Sequence, residues 1–283
     1  MTESDFLALL RPLATHPAAR GFLDDAAVLS VSGFRNLVLT HDVLVEGIHF
    51  LPGDPANDVA WKLVAVNLSD LAAKGARPLG VLLGFPLGDA DWDAQFVSGL
   101  GAALAAFDVP LLGGDTVTGP RVLSLTAVGR ASVAPSRTGA RAGDGLFVTG
   151  VIGRAGLGLG GDPAHIVAYR RPEPRLAEGQ VLAPLVHAMM DVSDGLLIDA
   201  QRMAAASGLA IEIDLDAVPI AGHRMAAVTA GDDYELLFAA PTGFDLPVAA
   251  TRIGLFSTGS GLTLVDANGA VPVPDRLGWQ HGQ

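Results

Sequence analysis

The chain has 283 residues, of which 50% are hydrophobic and 17% charged, with 30 acidic residues against 18 basic ones and a formal charge of -12. That is length and apolar content for one large or two ordinary domains with real cores, and it excludes a disordered chain. The acidic balance argues against a general nucleic-acid binder, which needs a basic surface, but allows a small phosphorylated ligand whose charge is compensated locally.

The absence of cysteine removes disulfides, thiolate nucleophiles and thiolate metal sites. The start, MTESDFLALL, lacks the basic region and apolar run of a signal peptide, and no apolar run is long enough to span a membrane. A soluble, cytoplasmic protein is expected.

In chain order, residues 5–14 read as a short amphipathic helix with Phe6, Leu9, Leu10 and Leu13 on one side. Residues 26–31 and 37–45 read as strands. Segment 55–74 opens on Pro55 and keeps helical spacing through Val59, Leu63, Val66 and Asp70, with Gly75 placed to end it. A strand is predicted at 79–85, and a helix at 89–106 with Trp92, Phe96, Leu100 and Leu104 four apart. After PLLGGD comes a strand at 121–129 and then a polar bridge, 130–144, where the domain boundary is placed (1–135 and 136–283).

The second half begins with a strand at 146–150 and a glycine-rich turn, VIGRAGLGLGG. That turn lacks the lysine of a phosphate-binding loop and the downstream acid of a dinucleotide site. A helix is predicted at 178–189, then DVSDG, a helix from Leu196 to Ser207, and strands at 210–214, 234–240, 251–255 and within 262–274. Strands and helices mix without regular βαβ repetition, so the expected class is α+β in two domains.

The informative residues are aspartates at the junctions of apolar elements with small residues: Asp24, Asp25, Asp42, Asp70, Asp115, Asp191 and Asp194. Asp–Gly and Ser–Asp–Gly are also ordinary turn sequences, so Asp194 and Asp115 have a bland reading as well. Asp70, inside VAVNLSDLAAKGAR, has neither a cap nor a turn to serve, and a buried charge there must be paired or bound to a cation. Carboxylates without cysteine suit a hard cation such as magnesium, which bridges carboxylates to substrate phosphates. Phosphoryl transfer or phosphate activation follows as the reaction class. No general base stands out. A nucleophile that is already anionic needs none, which favours a phosphate acceptor over a hydroxyl. His49 orients a ligand or serves the core with equal weight, His41 faces opposite to Asp42 on its strand, Arg137 and Arg141 are equal candidates for a phosphate clamp, and Trp279 is a lid or a packing residue.

The stretches DDAAV (24–28), THDVLVEGIHF (40–50), KLVAVNLSDLAAKGARP (62–78), GGDTVTGP (113–120), GARAGDGLFVTG (139–150), DVSDGL (191–196) and GDDYELLF (231–238) resemble, in order, the thiamine-monophosphate kinase family of the aminoimidazole-ribonucleotide-synthetase-like ATP-binding superfamily. The resemblance implies an N-terminal α/β domain that dimerises through a barrel-like sheet, beside a C-terminal α+β domain. It implies magnesium held by Asp25, Asp42, Asp70, Asp115, Asp191 and Asp194, with Thr40 and His41 at a backbone-ligand position. ATP contacts are implied for Gly114, Asp115, Arg137 and Ser193, and thiamine monophosphate contacts for His49, Asp232 and Trp279. The implied reaction is direct transfer of the ATP γ-phosphate to thiamine monophosphate in a homodimer, with no phosphoenzyme. Leu23, His41, Arg154 and Asp232 depart from the family pattern. Two rivals are a synthetase of the same superfamily that activates an amide or formyl oxygen, and a non-catalytic ATP-binding regulator. The selenophosphate branch is disfavoured in a cysteine-free chain.

Overall fold

The computed structural model describes residues 24, 27–29, 36–243 and 245–280. The helix expected at 5–14, Leu23 and Asp25 lie outside the described residues.

The N-terminal sheet consists of β1 (Ala27–Leu29), β2 (Asn36–Val45), β3 (Arg77–Leu87), β4 (Leu111–Thr118) and β5 (Val122–Ala131), in the spatial order β1-β2-β5-β3-β4. All its pairs are antiparallel except β3 with β4. Helices α1 (Ala56–Ala73) and α2 (Ala90–Ala106) pack beside it. Asp89 caps α2 by accepting from the Trp92 amide at 2.8 Å, and Phe85, Trp92 and Phe96 stack where α2 meets the sheet.

Helix α1 is the pivot of the molecule. It ends in a Schellman motif: the Gly75 N–H reaches Ala72 O at 2.9 Å and the Ala76 N–H reaches Leu71 O at 2.8 Å, with Gly75 at φ +58. Nearly every α1 residue is buried, including Lys62, Asn67, Ser69 and, as its cap, Lys74. A helix buried all round lies between two layers. Here one side faces the N-terminal sheet, and the other meets α5 (Leu176–Leu182) and β7 (Ala188–Asp191) of the second unit.

That unit is built on a seven-stranded sheet, β12-β11-β8-β10-β6-β9-β7. Its strands are β6 (Asp144–Thr149), β7, β8 (Leu209–Asp214), β9 (Leu236–Pro241), β10 (Ala250–Thr258), β11 (Gly261–Asp266) and β12 (Gly269–Val271). β8 and β11 run parallel; the other pairs are antiparallel. Its helices are α3 (Arg154–Leu159), α4 (Ile166–Arg170), α5, α6 (Leu196–Ala206) and α7 (Arg224–Ala230). One core joins Leu146, Val148, Met190, Leu197, Met203 and Phe256. A second joins Ala72 and Ala73 of α1 to Phe147, Leu182, Met189, Leu236 and Phe238, tying the two units together.

Three expectations need correction. The helix predicted at 178–189 is two elements: α5 stops at Leu182, Pro184 follows, and Ala188 already begins the fully buried strand β7. LLGGDTVT, left without an element, is strand β4, exposed along its whole length, so it carries no alternation of burial to read. The glycine-rich VIGRAGLGLGG contains helix α3 rather than only a turn.

Candidate active site

A cavity of about 610 Å³ opens between the two units. One wall is β2 from Asp42 to Val45, with Ile48 and His49 of the turn after it; Val66 and Asp70 of α1 form the floor. Ala155, Gly156 and Leu159 of α3, the end of β7 with the loop after it (Asp191, Ser193, Asp194), the end of α7 with the loop before β9 (Ala230, Gly231, Asp232, Tyr234) and Trp279 close the rest.

Helix α1 organises the acidic floor. The Asn67 side-chain oxygen accepts from the Asp42 amide at 3.1 Å, holding β2 against the helix. The Thr40 hydroxyl donates to Asp70, and the Ser69 hydroxyl donates to Asp191 at 2.5 Å, reaching into the second unit. Lys74 pairs with Asp24 at 2.6 Å and donates to Met189 O at 3.1 Å. Burial pushes Asp70 well above the usual carboxylate range, helped by the Asp42 and Asp191 charges and opposed by Thr40 and Lys74. Burial, then Asp194, raises Asp42 to about 6. Burial raises Asp191 to about 7 despite Ser69 and Lys74, with Asp199 and Asp42 adding to the rise. Carboxylates drawn together in this way hold protons or share a cation.

The DVSDG loop takes its shape from a residue outside the motif. Oδ2 of buried Asp199 accepts from the amides of Ser193 (3.2 Å), Asp194 (3.1 Å) and Gly195 (3.2 Å). Arg202 clamps the loop by donating to both Asp194 and Asp199. The facing GDDYE loop is held against it by Asp232 N–H to Ser193 O at 2.7 Å and Tyr234 N–H to Val192 O at 2.8 Å, although Asp232 and Tyr234 both sit at positive φ. Asp233 accepts from the amides of Gly153 (2.7 Å) and Ala155 (3.3 Å) and so caps α3; burial, its largest influence, raises it to about 7.

Of the residues singled out in the sequence, Asp42, Asp70, Asp191, Asp194, Ser193, His49, Asp232 and Trp279 meet at this cavity. Thr40 stands behind Asp70 as its donor. His41 faces the other side of β2, its Nδ1 2.8 Å from the Thr126 hydroxyl, as strand alternation requires. Gly114 and Asp115 lie on exposed strand β4 and are not part of the cavity wall. Arg137 is also off the wall; burial lowers its pKa, against the charges of Asp24 and Asp199. Among the described residues no three acidic or imidazole side chains stand at chelating distance around one point. The donor set is nonetheless all oxygen and crowded with like charge, which fits a hard divalent cation.

The sequence reading missed Lys62, Lys74, Asp199, Arg202 and Asp233. Lys74, one helical turn on from Asp70, lowers the Asp70 pKa through its charge. The available signal was a lysine at each end of an otherwise apolar helical run.

Residues 23–131 match the AIR synthase related protein, N-terminal domain, and residues 141–273 match the AIR synthase related protein, C-terminal domain. The thiamine-monophosphate kinase of Caulobacter vibrioides is 40% identical over 99% of this chain and 91% of its own. A solved structure, AaThiL complexed with AMPPCP and TMP, superposes with a TM-score of 0.90 at 28% identity, over 99% of this chain and 97% of the other. The thiamine-monophosphate kinase structure from Stenotrophomonas maltophilia K279a gives a TM-score of 0.78 at 36% identity, over 92% and 94%.

Proposed function

This chain belongs to the thiamine-monophosphate kinase family of AIR synthase related proteins, and we propose on that premise that it transfers the γ-phosphate of ATP directly to thiamine monophosphate, giving thiamine diphosphate and ADP. The observation that carries the reading is a cavity whose carboxylates come from both units, Asp42 and Asp70 from one and Asp191 and Asp194 from the other. It lies on a fold that matches AaThiL complexed with AMPPCP and TMP over nearly its whole length.

The physical logic is charge control. A phosphate monoester oxygen is already a nucleophile, so the chain needs no base; it must hold two anions together, and unit charges about 4 Å apart repel by roughly 4 kcal/mol at intermediate dielectric. Magnesium bound by Asp42, Asp70, Asp191 and Asp194 would supply the neutralising charge. Thr40 and Ser69 hold two of those carboxylates in place, the Lys74 charge favours the ionised form of Asp70, and Asp199 with Arg202 shapes the loop that presents Ser193 to the nucleotide. His49, Asp232 and Trp279 line the part assigned to thiamine monophosphate. By motif, Asp25 and Asp115 are assigned to magnesium, and Gly114, Asp115 and Arg137 to ATP. Asp115 and Gly114 stand off the wall of a single chain.

The test is direct. Incubation with magnesium, ATP and thiamine monophosphate should yield thiamine diphosphate and ADP in equal amounts; no thiamine diphosphate above a no-enzyme control would end the kinase reading.

A further inference from the structure

The second lysine of α1 has no place in the charge argument above. Lys62 is 2% exposed and lies inside the apolar helix. Its ammonium donates to His49 O at 3.1 Å, pairs with Asp232 Oδ2 at 2.5 Å, and sits 4.2 Å from the centroid of the Tyr169 ring. An ammonium has three N–H directions, and here two are taken by oxygens while an aromatic face stands beside the charge. Those partners belong to three separate segments: the turn after β2, the loop before β9, and α4. Tyr169 is itself anchored, its hydroxyl donating to Asp54 Oδ2 at 2.9 Å, and Arg170 holds the same carboxylate at 2.9 Å.

Asp232 is the partner that faces the cavity. Its φ of +65 is strained for a residue with a Cβ. Lys62 holds one of its oxygens, and the Tyr234 hydroxyl donates to the other at 3.0 Å. The side chain is still 31% exposed, and a carboxylate has about four acceptor positions, so acceptor capacity remains on the open side. A fixed negative charge on the cavity wall repels phosphate and attracts a cationic or N–H-bearing group.

We infer that Lys62 is a positioning residue. Through one buried ammonium it joins the two units and aims Asp232 at the heterocyclic part of the acceptor substrate, which carries one cationic ring and, on the other ring, an N–H-bearing amino group, setting recognition of that substrate and leaving ATP untouched. The inference rests on the kinase reading and deepens it.

The test compares wild type, Lys62→Met, Asp232→Asn and the double variant, measuring binding of thiamine monophosphate and of a non-hydrolysable ATP analogue by calorimetry, with steady-state KM values and melting temperature alongside. Lys62→Met should weaken thiamine monophosphate at least tenfold and change ATP-analogue affinity by less than twofold, and adding Asp232→Asn should change little further, because the two act through one carboxylate. Equal losses for both ligands, additive losses in the double variant, or unchanged thiamine monophosphate affinity would each overturn it. If Lys62→Met does not fold, Lys62→Gln, which keeps an N–H donor and loses the charge, carries the same selective-loss criterion. A wild type that binds the ATP analogue but not thiamine monophosphate refutes the kinase reading, and this inference with it; selective loss missing in an active wild type refutes this inference alone.

Discussion

Asp70 shows what a single residue can decide. Its carboxylate is buried on α1, takes the Thr40 hydroxyl, and faces Asp42 and Asp191. Folding raises its pKa, and those of Asp42 (about 6) and Asp191 (about 7), above their unfolded values near 3.8. A carboxylate raised in this way favours the folded state while protonated, so its destabilising effect begins as pH rises through the unfolded pKa and is complete above the folded one. Without divalent cations the protein should therefore melt at a lower temperature at pH 8 than at pH 5. Asp70→Asn removes one charge from the cluster, keeps an oxygen for Thr40, and should show a smaller fall in a melting series across that range. The same variant should lower kcat by about a hundredfold or more, the scale of losing one electrostatic group at developing charge. Near-normal turnover in a folded Asp70→Asn protein would make Asp70 structural.

At the scale of elements, α1 was legible because its start, end and apolar content agree: Pro55 before it, Gly75 after it, and little between to interrupt the helix. Its companion α5 was misread because helix propensity runs on through residues whose fate is set by Pro184 and by burial in β7. The two helices meet through glycine. A Cβ on Gly179 would lie 2.0 Å from Ala72 O, and one on Gly75 2.2 Å from the Ala183 Cβ. No side chain fits there without moving α5 off α1. Gly179→Val should destabilise the protein by about 1–3 kcal/mol, the scale of overpacking, as read by urea denaturation. A midpoint unchanged from wild type would show that the helices have room to separate. The expected size is independent of the acidic floor, because the residues involved are apolar.

At the scale of the whole molecule, the N-terminal sheet leaves Leu82, Leu87, Leu111, Leu112, Val117 and Val122 exposed along β3, β4 and β5. An apolar surface on neighbouring strands of one sheet is suited to a second copy of the chain, in keeping with the homodimer that the sequence resemblance implies. Sedimentation velocity should report two copies, and Leu112→Glu with Val117→Glu should shift the protein toward one; a wild type sedimenting as a single copy at all concentrations would refute the homodimer. The sequence alone determined the composition class, most elements, and the aspartates worth watching, because these are local: periodicity, glycine and proline punctuation, and charges placed in apolar runs. It also carried the family, through motifs in order. Only the tertiary structure decided which of those aspartates meet at the cavity, that Gly114 and Asp115 stand off its wall in this chain, that Asp199 and Arg202 shape the DVSDG loop, and that Lys62 and Lys74 are the buried counter-charges. Pairing across more than a hundred residues leaves no periodic trace in the chain; it exists only once α1 is closed between the two sheets and each buried charge must find a partner there.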